Sequence, residues 1–130
     1  MSASEEFLSV SEERAIVEAI KQAETNTSGE IRVHLEDHSD KPPLERAQEV
    51  FLALGMDKTA ARNGVLFYVG VSDHHLAILA DEGINNVVEQ NFWNSTKDLV
   101  IEHFKRGENK EGLVQGILKA GQELKRYFPY

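Results

Sequence analysis

The sequence contains no cysteine, and that absence excludes several kinds of functional site. A disulfide framework, an iron–sulfur cluster, a cysteine-ligated zinc ion and a thiol nucleophile all need that side chain. Long apolar runs are also missing: nowhere do eighteen apolar residues follow one another, so we expect no transmembrane segment. The start, MSASEEFLSV, has neither the basic residues nor the apolar run of a secretion signal. We therefore expect a cytoplasmic protein.

Positive charge is scarce as well. There are 14 Lys and Arg residues against 22 Asp and Glu, which gives a formal net charge of −8. Such a surface repels phosphate backbones and anionic lipid, so we expect no nucleic-acid partner. With 130 residues, 41% of them apolar, the chain can form one domain with a core but not two comfortable ones. We expect residues 1–130 to form a single domain and a monomer.

Hydrophobic periodicity predicts alternating helices and strands. Helices are predicted over 11–25, 44–54, 84–93, 95–104 and 111–127, and strands over 29–36, 64–71 and 75–80. The first strand alternates apolar and polar residues, which is typical of an edge, whereas the second is apolar on both faces, which is typical of a central strand. A strand–helix–strand unit implies a parallel pair, and the short turn before the third strand implies an antiparallel one. The predicted fold class is α/β, a small mixed sheet covered by helices.

This topology sorts the polar residues into two groups at opposite ends of the sheet. Edge one, where the first two strands begin and the third ends, collects Thr27, Ser28, Glu30, Arg62, Asn63, Asp81 and Glu82. Edge two, where the first strand ends and the hairpin turns, collects Asp37, His38, Asp40, Asp73, His74 and His75.

Edge two has a general precedent, because open α/β sheets bind ligands beyond the carboxyl ends of their parallel strands. Its three His and three Asp residues are also a potential set of metal ligands. However, no H-x-x-x-H or H-E-x-x-H spacing is present. Asp and His are common in turns, so turn geometry and solubility also explain them.

Edge one offers carboxylates, an amide and hydroxyls, the oxygen ligands that suit Ca²⁺ or Mg²⁺. Arg62 is suited to hold a phosphate or a carboxylate in a bidentate arrangement. Asp81 precedes a predicted helix, whose N-terminus favours anions. The alternative interpretation is structural: Asp81 caps that helix, and Arg62 is its ion-pair partner at the surface.

Three segments carry a resemblance to a known family: SGEIRV at 28–33, RNGVLFYVGV at 62–71 and LADEGI at 79–84. Phe92-Trp93 and a closing pattern of glycines and apolar residues that ends in Phe128-Pro129 add to it. In their order and spacing these residues resemble the TPM domain family, named for a thylakoid luminal protein, a photosystem II repair protein and a nematode receptor modulator. The chain looks most like the short bacterial branch. The resemblance implies a three-layer α/β/α sandwich.

The resemblance also implies a function. Divalent-cation binding is known in the family, and some plant members are described as acid phosphatases. Carried over by motif, the candidate residues are Glu30 in SGEI, Asn63 in RNGVL and Asp81 in LADEGI; the family often has Gly-Asp where this chain has Ala80-Asp81.

Two hypotheses follow from the resemblance. In the first, Ca²⁺ or Mg²⁺ is held by Asp81, Glu30, Asn63 and Glu82, and the domain hydrolyses a phosphate-bearing small molecule. Asp81 would then be the principal ligand, Glu30 or Glu82 would serve as a second ligand or as the base, and Arg62 would hold the phosphate. In the second, the domain is a non-catalytic module whose cation orders the loops that bind a protein or membrane-protein partner.

Overall fold

The computed structural model describes residues 2–130 of the chain. Its helices are α1 (Ala3–Phe7), α2 (Val10–Glu24), α3 (Pro43–Ala53), α4 (Glu82–Asn85), α5 (Phe92–Lys105) and α6 (Asn109–Tyr127). Its strands are β1 (Glu30–Glu36), β2 (Gly64–Gly70) and β3 (His75–Ala80), and a 3₁₀ turn (Met56–Lys58) follows α3. All three strands lie within one residue of their predicted bounds.

The strands form one mixed sheet in the order β1-β2-β3. β1 runs parallel to β2, with Glu30 opposite Gly64, and β3 runs antiparallel to β2, with Ala80 opposite Val65. Every residue of β2 is buried, which confirms its predicted central position. The predicted parallel and antiparallel pairings are both confirmed.

Helices cover both faces of the sheet because side chains alternate between the faces along each strand. On one face α3 packs against Leu66, Tyr68 and Ala77. On the other face α2, α5 and α6 enclose a larger core that includes Val65, Phe67, Val69, Ile31 and Leu76. The three-layer α/β/α architecture is thus confirmed.

Local signals explain where several helices begin. Ser9 and Glu12 form a reciprocal capping box at the start of α2, and Pro43 stands at the first position of α3. In α6, a Cβ at Gly116 would lie 2.9 Å from the Phe67 ring, so this glycine permits close approach of the helix to the sheet. Within residues 2–130, no helix is both long enough and apolar enough to cross a membrane.

The predicted helix over 84–93 is wrong. Helix α4 ends at Asn85, and Phe92 already belongs to α5, which runs on to Lys105. Asn85, Asn86 and Asn91 account for the difference, because asparagine side chains compete with helical hydrogen bonding and favour helix ends. The short helix α1 was not predicted, although Ser2 caps it by accepting a hydrogen bond from the backbone of Glu5.

Candidate functional site

Edge one forms because two polar segments, about twenty residues apart in sequence, lie against each other. The backbone N–H of Asp81 donates to the carbonyl oxygen of Gly64 at 2.9 Å and extends the β2–β3 ladder to this end. The next turn then packs so closely that a Cβ at Gly83 would lie 2.0 Å from the carbonyl oxygen of Ala61 and 2.5 Å from that of Arg62. Only glycine fits at position 83 without moving the backbone of the 61–62 loop.

Arg62 bridges two carboxylates at this edge. Its Nε and Nη2 donate to Asp81 Oδ2 and Oδ1 at 2.8 and 3.0 Å, a bidentate arrangement, and its Nη1 lies 3.4 Å from Glu82 Oε1. The Arg62 side chain is 45% exposed, whereas that of Asp81 is 7% exposed. The guanidinium therefore pairs with two carboxylates from the solvent side and compensates only one of their two negative charges.

Asp81 also caps α4. Its Oδ1 accepts a hydrogen bond from the backbone N–H of Glu82 at 2.8 Å. Burial acts to raise the pKa of Asp81, but the hydrogen bonds from Arg62 and from the Glu82 backbone outweigh it, so the pKa is lowered. The cap and the ion pair of the structural interpretation are both present, and they hold a fully ionised carboxylate at this edge.

Asn63 is the most deeply buried polar residue of edge one, with no exposed surface. Its Nδ2 donates to Ser28 Oγ at 3.0 Å, but among residues 2–130 nothing donates to its Oδ1. A buried carbonyl oxygen without a partner costs about 1–3 kcal/mol. An amide oxygen is a ligand that Ca²⁺ accepts readily, so this atom is a fitting ligand for a hard cation.

Glu30 lies at the same end of the sheet but is separated from Asp81. Its Oε2 accepts a hydrogen bond from Arg32 at 3.3 Å. Gly64 of the central strand β2 lies between Glu30 of β1 and Asp81 at the end of β3. The space beside Gly64 is filled by the carbonyl oxygen of Met56, which would lie 3.0 Å from an added Cβ, and by the Phe51 ring. Glu30 instead lines a cleft beside α2.

A cleft of about 250 Å³ opens beside the Arg62–Asp81 pair. Gln48 and Leu52 of α3 form one wall, and Asp57 of the 3₁₀ turn contributes a further carboxylate. Asp57 was not among the residues predicted from the sequence, because no periodic pattern or motif marks that turn. Its closeness to Arg62 in sequence was the one available signal.

Edge two lies at the other end of the sheet, as predicted. His38 is held between two carboxylates, with Nδ1 2.7 Å from Asp73 Oδ1 and Nε2 2.8 Å from Asp40 Oδ1. These hydrogen bonds, first that with Asp73, raise the pKa of His38. Asp73 also accepts from the backbone of Ser39, so the cluster ties the loop after β1 to the hairpin.

Metal ligands can be compared between the two edges. Across the described part of the chain, no three His, Asp or Glu side chains are grouped so as to hold a metal ion. Edge one brings together Asp81, Glu82 and Arg62, whereas the Asn63 side chain, at the same end of the sheet, turns to Ser28, and Glu30 lies apart. The two carboxylates that lie together are oxygen ligands of the kind that suits Ca²⁺ or Mg²⁺.

Comparison with known proteins places the chain in a family. The model of the TPM domain matches residues 1–123. The solution structure of BA42 from the psychrophilic bacterium Bizionia argentinensis is 52% identical, with a TM-score of 0.88 over 95% of this chain and 86% of that one.

Two more distant structures share the fold. An N-terminal domain from P. gingivalis is 19% identical, with a TM-score of 0.78 over 94% of this chain and 79% of that one. The N-terminal domain of cg2496 from Corynebacterium glutamicum is 13% identical, with a TM-score of 0.71 over 90% and 74%. No curated protein matches the sequence. The family match over residues 1–123 and the 52% identical structure establish that this chain belongs to the TPM domain family.

Proposed function

We propose that this domain binds a divalent cation, Ca²⁺ or Mg²⁺, at edge one through Asp81, Glu82 and the amide oxygen of Asn63. Two observations carry the proposal: Arg62 holds the carboxylates of Asp81 and Glu82 together, and the buried Oδ1 of Asn63, at the same end of the sheet, has no donor among residues 2–130. A hard cation would give the Asn63 oxygen a partner and would also coordinate the two carboxylates.

Arg62 is the competitor of the cation in this proposal. Its guanidinium contacts both carboxylates, so an incoming cation must displace at least part of that contact. The side chain is nearly half exposed, and it can turn into solvent at little cost. Cation binding therefore frees Arg62 to face the cleft.

Phosphate-ester hydrolysis is the activity that this arrangement would support. A bound cation supplies polarisation of a phosphoryl oxygen and an activated water. Arg62, once released, would hold the phosphate group in the cleft. Asp57 lines that cleft and is better placed to accept a proton than Glu30, whose carboxylate pairs with Arg32.

The second candidate is a non-catalytic module in which the cation only orders the loops of edge one. The Arg62–Asp81 ion pair and the cap that Asp81 provides favour it, because they already give both side chains a structural role. The two candidates share the cation site and differ only in what Arg62 does.

Replacing Arg62 by alanine should separate them. We expect the affinity for Ca²⁺ to rise about threefold or more, because a competing cation is removed from Asp81 and Glu82. Calcium should accordingly raise the melting temperature of the variant more than that of the wild type. If the domain is a phosphatase, turnover of a phosphomonoester should fall about a hundredfold, as on losing one charge-stabilising donor.

Arg32→Ala is the matched control, because Arg32 is also an exposed arginine paired with a glutamate at the same end of the sheet. It should change neither the calcium affinity nor the turnover. Equal phosphatase rates in wild type and Arg62→Ala, at matched purity, would contradict the enzyme and leave the module. Unchanged calcium affinity in Arg62→Ala would contradict the displacement of Arg62.

A further inference from the structure

The two outer strands of the sheet are protected to different degrees. β1 carries alternating charged or titratable side chains, namely Glu30, Arg32, His34 and Glu36, and such residues deter pairing with another strand. β3, with the sequence HLAILA, has no charged residue from Leu76 to Ala80. An unprotected apolar edge strand is a template for an additional strand.

The hydrogen-bonding phase of β3 shows which of its residues face outwards. The backbone N–H of Asp81 donates to the carbonyl oxygen of Gly64, so the backbone groups of Asp81 point towards β2. In an antiparallel ladder, residues whose backbone groups point towards the neighbouring strand alternate with residues whose backbone groups point away from it. The backbone groups of Leu76, Ile78 and Ala80 therefore point away from β2. Within residues 2–130 no strand pairs with this side of β3, which ends the sheet. Along this edge, three N–H and three C=O groups thus have no partner strand within residues 2–130.

A groove of about 330 Å³ runs beside this edge. Pro43 and Leu44, at the start of α3, form one wall, and Trp93 and Lys97, at the start of α5, form the other. These helices cover opposite faces of the sheet, so the groove lies over the strand edge between the two layers. Leu44 is 52% exposed at its rim, and Ile78 lines its floor.

The polar groups of the groove are hydrogen-bond donors. The indole Nε1–H of Trp93 is enclosed and has no acceptor among residues 2–130. Lys97 is exposed and lies in no ion pair within the same residues, and α5 begins without a side-chain cap on its first N–H groups. A lysine, a helix N-terminus and an unpaired indole N–H together call for an occupant that supplies acceptors and negative charge.

We propose that the β3 edge binds an extended segment of another protein, which adds a fourth strand and places an acidic side chain near Lys97 and Trp93. Backbone hydrogen bonds to Leu76, Ile78 and Ala80 would supply affinity, and the acidic residue would supply specificity. A second copy of this chain fits less well, because a two-fold contact would bring the same donors, Lys97 included, from both copies. The inference is independent of the cation site.

The test uses the full ¹⁵N-labelled chain and a set of acetylated peptides of about eight residues, the length of a usual strand. Each peptide alternates Thr and Val, and a single Asp moves through its positions from one member to the next. For at least one member we expect saturable shifts of the Leu76, Ile78 and Ala80 amides. The chain has one tryptophan, so its indole N–H signal should shift in the same titration and can be assigned without ambiguity.

Lys97→Glu should weaken that binding about tenfold by reversing the charge at the groove. Lys105→Glu is the control, since it makes the same change at the other end of α5, and it should leave the affinity unchanged.

Three results would overturn the proposal. The first is an absence of shifts at the β3 edge for every peptide at about 1 mM, the weak end of specific affinity. The second is an unchanged affinity in Lys97→Glu. The third is a shift of the same amides with protein concentration alone, which would assign the edge to a second copy.

Discussion

Replacing Glu36 by glutamine should destabilise the domain by about 3 kcal/mol at neutral pH and lower its melting temperature by about 10 °C. Glu36 is the last residue of β1, and its side chain is only 17% exposed. Arg46 of α3 donates to it from Nε at 2.9 Å and from Nη2 at 3.0 Å, and the hydroxyl of Tyr68 donates to its Oε2. This carboxylate therefore joins α3 to the sheet.

The pKa of Glu36 supplies the size and the pH dependence of that effect. The hydrogen bonds from Arg46 first, and those from Tyr68 and His34, lower the pKa from 4.5 to about 2 although burial opposes them. A lowered carboxylate pKa contributes stability that is fully present above the unfolded value of 4.5 and is lost as the pH falls towards 2. Each pKa unit corresponds to about 1.4 kcal/mol.

Denaturant titrations between neutral pH and about pH 2 measure both consequences. The wild type should lose this part of its free energy of unfolding across the acid range, and Glu36→Gln should lose less because the titrating group is gone. Glu45→Gln, at an exposed position of α3, the helix that carries Arg46, is the control and should behave as the wild type does. A neutral-pH loss below about 0.5 kcal/mol in Glu36→Gln, the size of an ordinary surface change, would contradict the account.

Gly83→Ala should destabilise the domain by about 3 kcal/mol or more, the upper range for overpacking. In an ordinary helix the same change stabilises by about 1 kcal/mol, so the sign of the effect is informative. Here the added Cβ would lie 2.0 Å from the carbonyl oxygen of Ala61, and a backbone atom cannot move aside as a flexible side-chain end can. Separating the two segments should also weaken cation binding at edge one.

Thermal unfolding followed by circular dichroism measures this change, with a fall in melting temperature of about 10 °C expected. Asn85→Ala, an exposed position in the same short helix, controls for altered helix propensity and should shift the melting temperature little. A Gly83→Ala variant as stable as the wild type would show that the 61–62 loop is not packed against α4.

The fold was predictable wherever a local pattern determines it. The all-apolar run of β2 and the alternation of β1 identify a central strand and an edge strand, and the intervening helix implies their parallel pairing. The segment from Ile84 to Trp93 was not predictable, because its apolar spacing suits one helix while the asparagines at 85, 86 and 91 divide it. In that segment competition by side-chain amides outweighs hydrophobic periodicity.

The sequence predicts at which end of the sheet each candidate residue lies, but it does not predict which of their side chains lie close together. Register places Glu30, Asn63 and Asp81 at one end, and the structure confirms this. It also separates Glu30 from Asp81 through Met56 and Phe51, and it brings Asp57 into the cleft. The separation of Glu30 from Asp81 and the position of Asp57 both depend on how α3 and the 3₁₀ turn pack over Gly64. No local sequence pattern encodes that tertiary contact.

A calcium titration followed by NMR, on the wild type and on Asp81→Asn, tests the cation site most directly. In the wild type we expect saturable shifts of the Asn63, Asp81 and Glu82 amides. Asp81→Asn should weaken binding severalfold through the loss of a charged ligand, and the fold should persist because asparagine caps helices about as well as aspartate. An unchanged affinity, or shifts centred on His38 and Asp73 instead, would contradict the site at edge one.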